Sequence, residues 1–134
     1  VGLEALSHGA KQIYFVEQDR QVAAVLRRNI EQCSVGDRAT VITAPLPQAI
    51  HRLPAALQAD IMFLDPPYAS ELAEQTLAAL APLSILAPHG MVIWQHAARN
   101  PVPQEVLGRG AEGKPRRYGD TQISIFGNQW SASP

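Results

Sequence analysis

The sequence contains a single cysteine, Cys33, in 134 residues. One thiol cannot form a disulfide within the chain, and it cannot supply a cysteine-based zinc cluster. A free thiol is typical of proteins in a reducing compartment, so we expect a cytoplasmic protein. We expect Cys33 itself, at the end of a predicted helix, to be a buried small apolar residue rather than a nucleophile.

Long apolar runs are also missing. No stretch approaches the ~18 consecutive apolar residues that a membrane helix needs, and the opening VGLEALSHGA lacks the basic start and apolar core of a signal peptide. We therefore expect no membrane contact. The four histidines lack the spacing of known metal motifs, so we also expect no metal.

Charged residues make up only 17% of the chain, with a formal net charge of −1. This balance excludes a protein that is basic throughout, but it allows a local basic patch. Lys114, Arg116 and Arg117 form such a patch beside Tyr118. Cations next to an aromatic ring suit the phosphates and bases of RNA, so these four residues are the predicted RNA-binding group. Arg99 and Arg109 lie upstream and have the same sign of charge.

The chain alternates between predicted strands and helices, which is typical of an α/β fold with a parallel sheet. Two antiparallel strands are predicted to follow, and we expect a single domain over residues 1–134. The predicted strands are Ile13–Val16, Ala39–Thr43, Ile61–Leu64, a strand within Gly90–His96, and two near Glu105–Gly110 and Thr121–Phe126. The predicted helices are Gly2–Ser7, one capped by Asp19 with Val22, Val25, Leu26 and Ile30 on one face, and one from Ser70 or Glu71 to Leu80.

The tetrapeptide Asp65-Pro66-Pro67-Tyr68 follows the apolar strand that ends at Leu64. Two prolines stiffen the backbone, so the Asp65 carboxylate and the Pro66 carbonyl are held as two neighbouring acceptors. Such a pair can hold both N–H groups of an exocyclic amino group and turn its lone pair towards an electrophile. Tyr68 offers a flat face on which an extruded base can stack. The simpler alternative is a tight turn after a buried strand.

Glu17 also follows an apolar strand, ahead of the helix capped by Asp19. Ligands of parallel α/β sheets bind beyond the carboxyl ends of the strands, where an acid can accept hydrogen bonds from the two hydroxyls of a ribose. The simpler alternative is a solvated acid at the end of a strand. With the Asp65 motif downstream, we predict that Glu17 binds a ribose.

The succession GLEALSHGAKQIYFVEQDR, FLDPPY and KPRRYGDTQISIF resembles the RsmD-type ribosomal RNA methyltransferases, from Gly2 to Phe126. The resemblance implies a Rossmann-like class I sheet, mostly parallel, with an antiparallel hairpin at its end. It implies S-adenosylmethionine as cofactor and the N2 amino group of a guanine in 16S rRNA, naked or within the small subunit, as substrate. The enzyme is expected to be a monomer.

The resemblance also implies roles for single residues. Glu17, Gly2 and Asp65 would contact the cofactor, while Asp65, Pro66, Pro67 and Tyr68 would hold the target guanine. Tyr118 to Thr121 match a turn between the last two strands of the family.

Two departures from the family pattern stand out. The family has a strand and a glycine-rich loop before the segment matched by Gly2, and the chain starts after that loop, so we expect the first strand and the cofactor loop to be missing. An acid or asparagine that contacts the adenine in the family is replaced here by Thr43-Ala44-Pro45. The alternatives are an enzyme that methylates the N6 amino group of adenine in DNA, or a non-catalytic fragment that binds nucleic acid.

Overall fold

The computed structural model describes residues 11–65, 72–99 and 102–127. The chain divides into two compact units, residues 1–55 and 56–134. The bounds of the strands and helices in the first unit are β1 Ile13–Glu17, α1 Arg20–Gln32 and β2 Ala39–Thr43. Those in the second unit are β3 Ala59–Leu64, α2 Leu72–Leu80, β4 Leu86–Ala97, β5 Glu105–Val106, β6 Arg109–Ala111, β7 Arg116–Tyr118 and β8 Thr121–Gly127.

In the first unit, β1 and β2 pair in parallel, from Ile13 beside Ala39 to Glu17 beside Thr43. Helix α1 begins where predicted, because the Asp19 carboxylate accepts hydrogen bonds from the backbone N–H groups of Gln21 at 2.8 Å and Val22 at 3.2 Å. Capping of this kind satisfies amide groups that the first helical turn leaves unpaired.

The predicted apolar face of α1 is only partly confirmed. Ala23 and Ile30 are buried, and Leu26 packs against the cluster formed by Ile30 and Val35. Val22 and Val25 are instead 51% and 47% exposed. The prediction that Cys33 is buried is wrong, since it is exposed at the carboxyl end of the helix.

The second unit contains a sheet in the order β3-β4-β8-β6-β5, with β7 also paired to β8. Strands β3 and β4 are parallel, whereas β8 runs antiparallel to β4, β6 and β7. Strand β8 thus has β4 on one side and the short strands β6 and β7 on the other. One face of this sheet carries the buried cluster Leu64, Val92, Trp94, Val106 and Phe126, against which Leu77 of α2 packs.

The carboxyl-terminal part departs from the two strands that were expected. It forms four strands, because a two-residue turn at Leu107 and Gly108, with φ of +50° and +76°, folds β5 back onto β6. A second two-residue turn, Gly119-Asp120, joins β7 to β8. Gly119 has φ of +62°, a conformation that glycine adopts readily at the first position of a hairpin turn.

Strand β4 is longer than predicted, because Pro88 and Gly90 lie within it rather than before it. The register between β3 and β4 shifts in this region, between the Ala59 and Ile61 pairs. The Arg109 guanidinium donates from Nε to the Gly90 carbonyl at 2.7 Å and from Nη2 to the Ala87 carbonyl at 2.8 Å. Arg109 therefore supports the irregular start of β4 instead of joining the basic patch.

Candidate functional site

Asp65 lies directly after β3, at the carboxyl end of a strand whose last residue, Leu64, is buried. Partial desolvation by burial raises the pKa of the Asp65 carboxyl above its ordinary value, although the residue as a whole is exposed. A carboxylate at the rim of a core keeps access to ligand while losing part of its hydration, which strengthens the hydrogen bonds that it accepts. Pro66, Pro67 and Tyr68 lie outside the described residues.

The register of the strands shows what lies beside Asp65. Leu64 pairs with Trp94, so the next residue along, Asp65, is level with Gln95 of β4. Gln95 is level with Ile123 of β8, and Ile123 with Arg116 of β7. Residues level with one another in neighbouring strands point to the same face of a sheet. The Asp65 face is defined here as the sheet face that carries Asp65, Gln95, Ile123 and Arg116.

The next level of the sheet carries His96, Gln122 and Arg117, on the opposite face. His96 is buried, its Nε2 lies 2.8 Å from the Ser124 hydroxyl, and its Nδ1 lies 3.0 Å from the Ala97 carbonyl. The carbonyl can only accept, so Nδ1 carries a proton. These contacts give His96 a structural role within β4. Trp94 is buried in the core.

The predicted RNA-binding residues lie on and just before β7. Lys114, Arg116 and Arg117 are exposed, and Tyr118 is 60% exposed. The Arg117 Nε donates to the Gly119 carbonyl at 2.8 Å, which holds this guanidinium over the β7–β8 turn. That turn is tied to the end of β4, because the Ala98 N–H donates to the Asp120 carbonyl at 2.7 Å. Strand β7, which carries Arg116 and Arg117, therefore lies near the carboxyl end of β4.

Glu17 ends β1 in the first unit, where it is half-buried and level with Thr43. Its backbone carbonyl accepts from the Ala44 N–H at 3.1 Å, which continues the pairing of the two strands past their ends. The Thr43 hydroxyl, at the position where the adenine contact was expected, accepts from the Arg27 guanidinium at 2.8 Å. Arg27 thus joins α1 to β2 rather than lying only on a solvated helix face. Gly2 lies outside the described residues.

A groove lined by both apolar and charged residues in the second unit lies away from Asp65. Leu77 of α2, Leu83, Val106 and Leu107 contribute to its lining, together with Leu86 at the amino end of β4. Since β3 and β4 are parallel, the amino end of β4 and the carboxyl end of β3 lie at opposite ends of the sheet. The groove is therefore separate from the candidate site.

Among the described residues, no group of three or more histidine, cysteine or acidic side chains could hold a metal ion. In the same part of the chain, no helix combines the length and the apolar character of a membrane span.

A family model described as "Conserved hypothetical protein 95" matches residues 1–127. A protein of Haemophilus influenzae named ribosomal RNA small subunit methyltransferase D is 34% identical over 94 residues, which cover 69% of this chain and 48% of that protein. The chain thus spans about half the length of this relative.

Solved structures share the fold over nearly the whole chain. A conserved hypothetical protein of Streptococcus pyogenes has a TM-score of 0.84 and 30% identity, covering 95% of this chain and 78% of that one. A "putative methylase" from Haemophilus influenzae has a TM-score of 0.76 and 28% identity, with the same coverage. These similarities confirm the predicted α/β fold of class I methyltransferases, with a sheet that contains both parallel and antiparallel strands.

Proposed function

Because the chain belongs to the family described as Conserved hypothetical protein 95, the RsmD-type methyltransferases, we propose that it transfers a methyl group from S-adenosylmethionine to the N2 amino group of a guanine in 16S rRNA. The named relative supports the transfer of a methyl group to ribosomal RNA. That the target is a guanine, that its N2 atom is methylated and that S-adenosylmethionine is the cofactor are further parts of the proposal.

The observation that carries the proposal is the position of Asp65, a partly desolvated acceptor at the carboxyl end of β3. Transfer to an amino group needs a nitrogen lone pair that is not delocalised into the ring. Asp65 accepts one N–H of the amino group, and the Pro66 carbonyl is proposed as the second acceptor. Held in this way, the nitrogen becomes more tetrahedral, and Tyr68 is proposed to stack on the base.

The cofactor would supply an electrophilic methyl group on a sulfonium, so the protein has mainly to orient the two partners. Glu17 fits the ribose of such a cofactor, because it ends a parallel strand and retains part of its exposure. Gly2 is proposed to contact the cofactor as well, and so is Asp65. Asp65 and the Pro66 carbonyl would hold the amino nitrogen towards that methyl group, and the proton that the nitrogen loses on methylation would pass to water.

The RNA is proposed to contact Lys114, Arg116, Arg117 and Tyr118. Arg116, Arg117 and Tyr118 lie exposed on β7 at the same end of the sheet as Asp65, and Lys114 is exposed just before that strand. Their charge attracts phosphates, and the ring of Tyr118 provides a stacking surface. We propose a single methyltransferase domain that acts as a monomer in the cytoplasm, on naked 16S rRNA or on the small ribosomal subunit.

The first prediction concerns Asp65. Asp65→Ala should abolish transfer of a radiolabelled methyl group to 16S rRNA while weakening the binding of S-adenosylmethionine far less, because the variant loses the acceptor of the target amino group but only one of three proposed contacts to the cofactor. The matched control is Asp60→Ala, which removes an exposed acid from the other end of the same strand and should retain activity.

Digestion of the product to nucleosides tests the finer assignment. N2-methylguanosine is the expected product, and N6-methyladenosine would show that the target is adenine. Full activity of Asp65→Ala would contradict the proposed mechanism, and RNA binding without any methyl transfer would show a non-catalytic nucleic-acid-binding protein.

A further inference from the structure

The register of the second sheet separates the polar residues at its carboxyl end into two sets. Asp65, Gln95 and Arg116 share the Asp65 face, and Tyr118, two residues beyond Arg116 on β7, points to the same face. His96, Gln122 and Arg117 lie on the opposite face. Alternation along a strand enforces this division, whatever rotamers the side chains adopt.

Gln95 lies in β4 between two buried residues, Trp94 and His96. It is half-buried. A glutamine amide carries both a donor and an acceptor, which suits the edge of a nucleobase. One strand spacing, about 4.8 Å, separates Gln95 from Asp65, so both can reach neighbouring atoms of the same base.

Arg116 and Tyr118 lie farther along the same face. Three strand spacings, about 14 Å in total, separate the Asp65 and Arg116 backbones. That distance exceeds the width of a single base, so a guanine bound at Asp65 leaves room on the same face for a neighbouring nucleotide. Arg116 is free to contact its phosphate, and the exposed ring of Tyr118 can stack on its base.

We propose that an unpaired RNA segment crosses the strands on the Asp65 face, with Gln95 reading the Watson–Crick edge of the target guanine and Arg116 and Tyr118 holding the adjoining nucleotide. This inference rests on the proposed methylation of RNA and identifies its substrate as a single-stranded segment. A paired guanine could offer neither its N2 amino group to Asp65 nor its O6 and N1–H to Gln95. Arg117, on the opposite face, donates to the Gly119 carbonyl of the β7–β8 turn, so its proposed contribution to RNA binding is that of its charge alone.

The two arginines provide a matched test. Arg116→Ala and Arg117→Ala remove the same charge from adjacent positions. If RNA binding depended on charge alone, the two variants should therefore lose the same amount of affinity. Binding is measured, without cofactor, to a labelled single-stranded RNA of about ten nucleotides, a length that can span such a surface. Arg116→Ala and Tyr118→Ala should each weaken binding about tenfold or more, as expected for loss of a stacking or phosphate contact, and Arg117→Ala by about threefold at most.

Equal losses in the two arginine variants would overturn the assignment to one face. Equal affinity of the wild-type chain for the same RNA annealed to its complement would overturn the single-stranded substrate. Both results are independent of methyl transfer, so they are distinct from a failure of the proposed function, which would appear as inactivity towards RNA.

Gln95 has its own test, in which the target guanine is replaced by 2-aminopurine. This base keeps the 2-amino group but has no polar group in place of O6 and an acceptor in place of N1–H, so the Gln95 amide can form only one of its two hydrogen bonds in either orientation. The wild-type chain should methylate guanine with a higher kcat/KM, and Gln95→Ala should lose most of this preference. Gln122→Ala, the matched control on the opposite face, should retain it. An unchanged preference in Gln95→Ala would show that Gln95 does not read the base.

Discussion

At the scale of single residues, the surroundings of Asp65 affect both its pKa and the stability of the chain. Asp65 follows the buried Leu64 and is partly desolvated, so its pKa is raised. A raised pKa means that the folded chain holds the proton more tightly than the unfolded chain does. Ionised Asp65 therefore costs folding free energy, a cost that grows as the pH rises from the ordinary value of 3.8 through the raised value. A destabilising group of this kind is typical of functional sites.

We therefore predict that Asp65→Asn makes the chain more stable than wild type at pH 7. The amide has nearly the same shape but carries no charge to desolvate. The gain should shrink as the pH falls below the raised pKa and vanish below 3.8, where the carboxyl is protonated in both states. Urea denaturation at pH 7 and pH 3 measures this, with Asp60→Asn as the exposed control on the same strand. Lower stability of Asp65→Asn at pH 7 would contradict the prediction.

Single residues also show how much of the candidate site could be predicted from the sequence. Asp65 could be identified because the two prolines and the preceding apolar run are all local features. Gln95 could not, because one polar residue in an apolar run carries no signal until the strand register places it level with Asp65. The error over Cys33 has a similar origin, since a residue at the end of a helix can point into the core or away from it.

At the scale of elements, β4 combines features that normally interrupt a strand. Pro88 and Gly90 are residues that usually interrupt a strand, yet β4 continues through both. It does so because Arg109, from a strand much later in the chain, donates to the Ala87 and Gly90 carbonyls that the irregular register leaves available. A contact so distant in sequence cannot be predicted from local patterns. Strand Ala39–Thr43, which is rich in β-branched residues, was predicted with its exact bounds, and the strand at Ile13–Glu17 to within one residue.

The irregular start of β4 leads to a prediction about Gly90. A Cβ at this position would lie 2.7 Å from the Ala59 carbonyl oxygen and 3.0 Å from that of Ala87, both backbone atoms that cannot move without disturbing the sheet. Gly90→Ala should therefore lower the free energy of unfolding by about 1–3 kcal/mol, the usual cost of overpacking. Chemical denaturation measures the loss.

Gly36 provides the matched control for Gly90. A Cβ there meets no atom within 4 Å, so Gly36→Ala should leave the stability nearly unchanged. Equal stability of the two variants would show that β4 can shift to accommodate the added methyl group.

At the scale of the whole molecule, the proposed roles divide between the two compact units. Glu17, the proposed ribose ligand, belongs to the first unit, which has its own clusters around Ile30 and around Ile42. Asp65 and the RNA-binding residues belong to the second, built on the cluster around Phe126. If these roles are correct, a change at Glu17 should affect cofactor binding, and changes at Lys114, Arg116, Arg117 or Tyr118 should affect RNA binding.

We predict that Glu17→Gln weakens binding of S-adenosylhomocysteine about tenfold or more, because hydrogen bonds to a charged acceptor contribute about 1.5–3 kcal/mol. Its affinity for single-stranded RNA should remain that of wild type. Glu31→Gln, which removes an exposed acid from α1 in the same unit, should bind both ligands normally. Calorimetric titration gives the cofactor affinity of all three proteins. If Glu17→Gln binds the cofactor product as tightly as wild type does, the ribose contact lies elsewhere. If it loses RNA affinity as well, the proposed division of roles between the units is wrong.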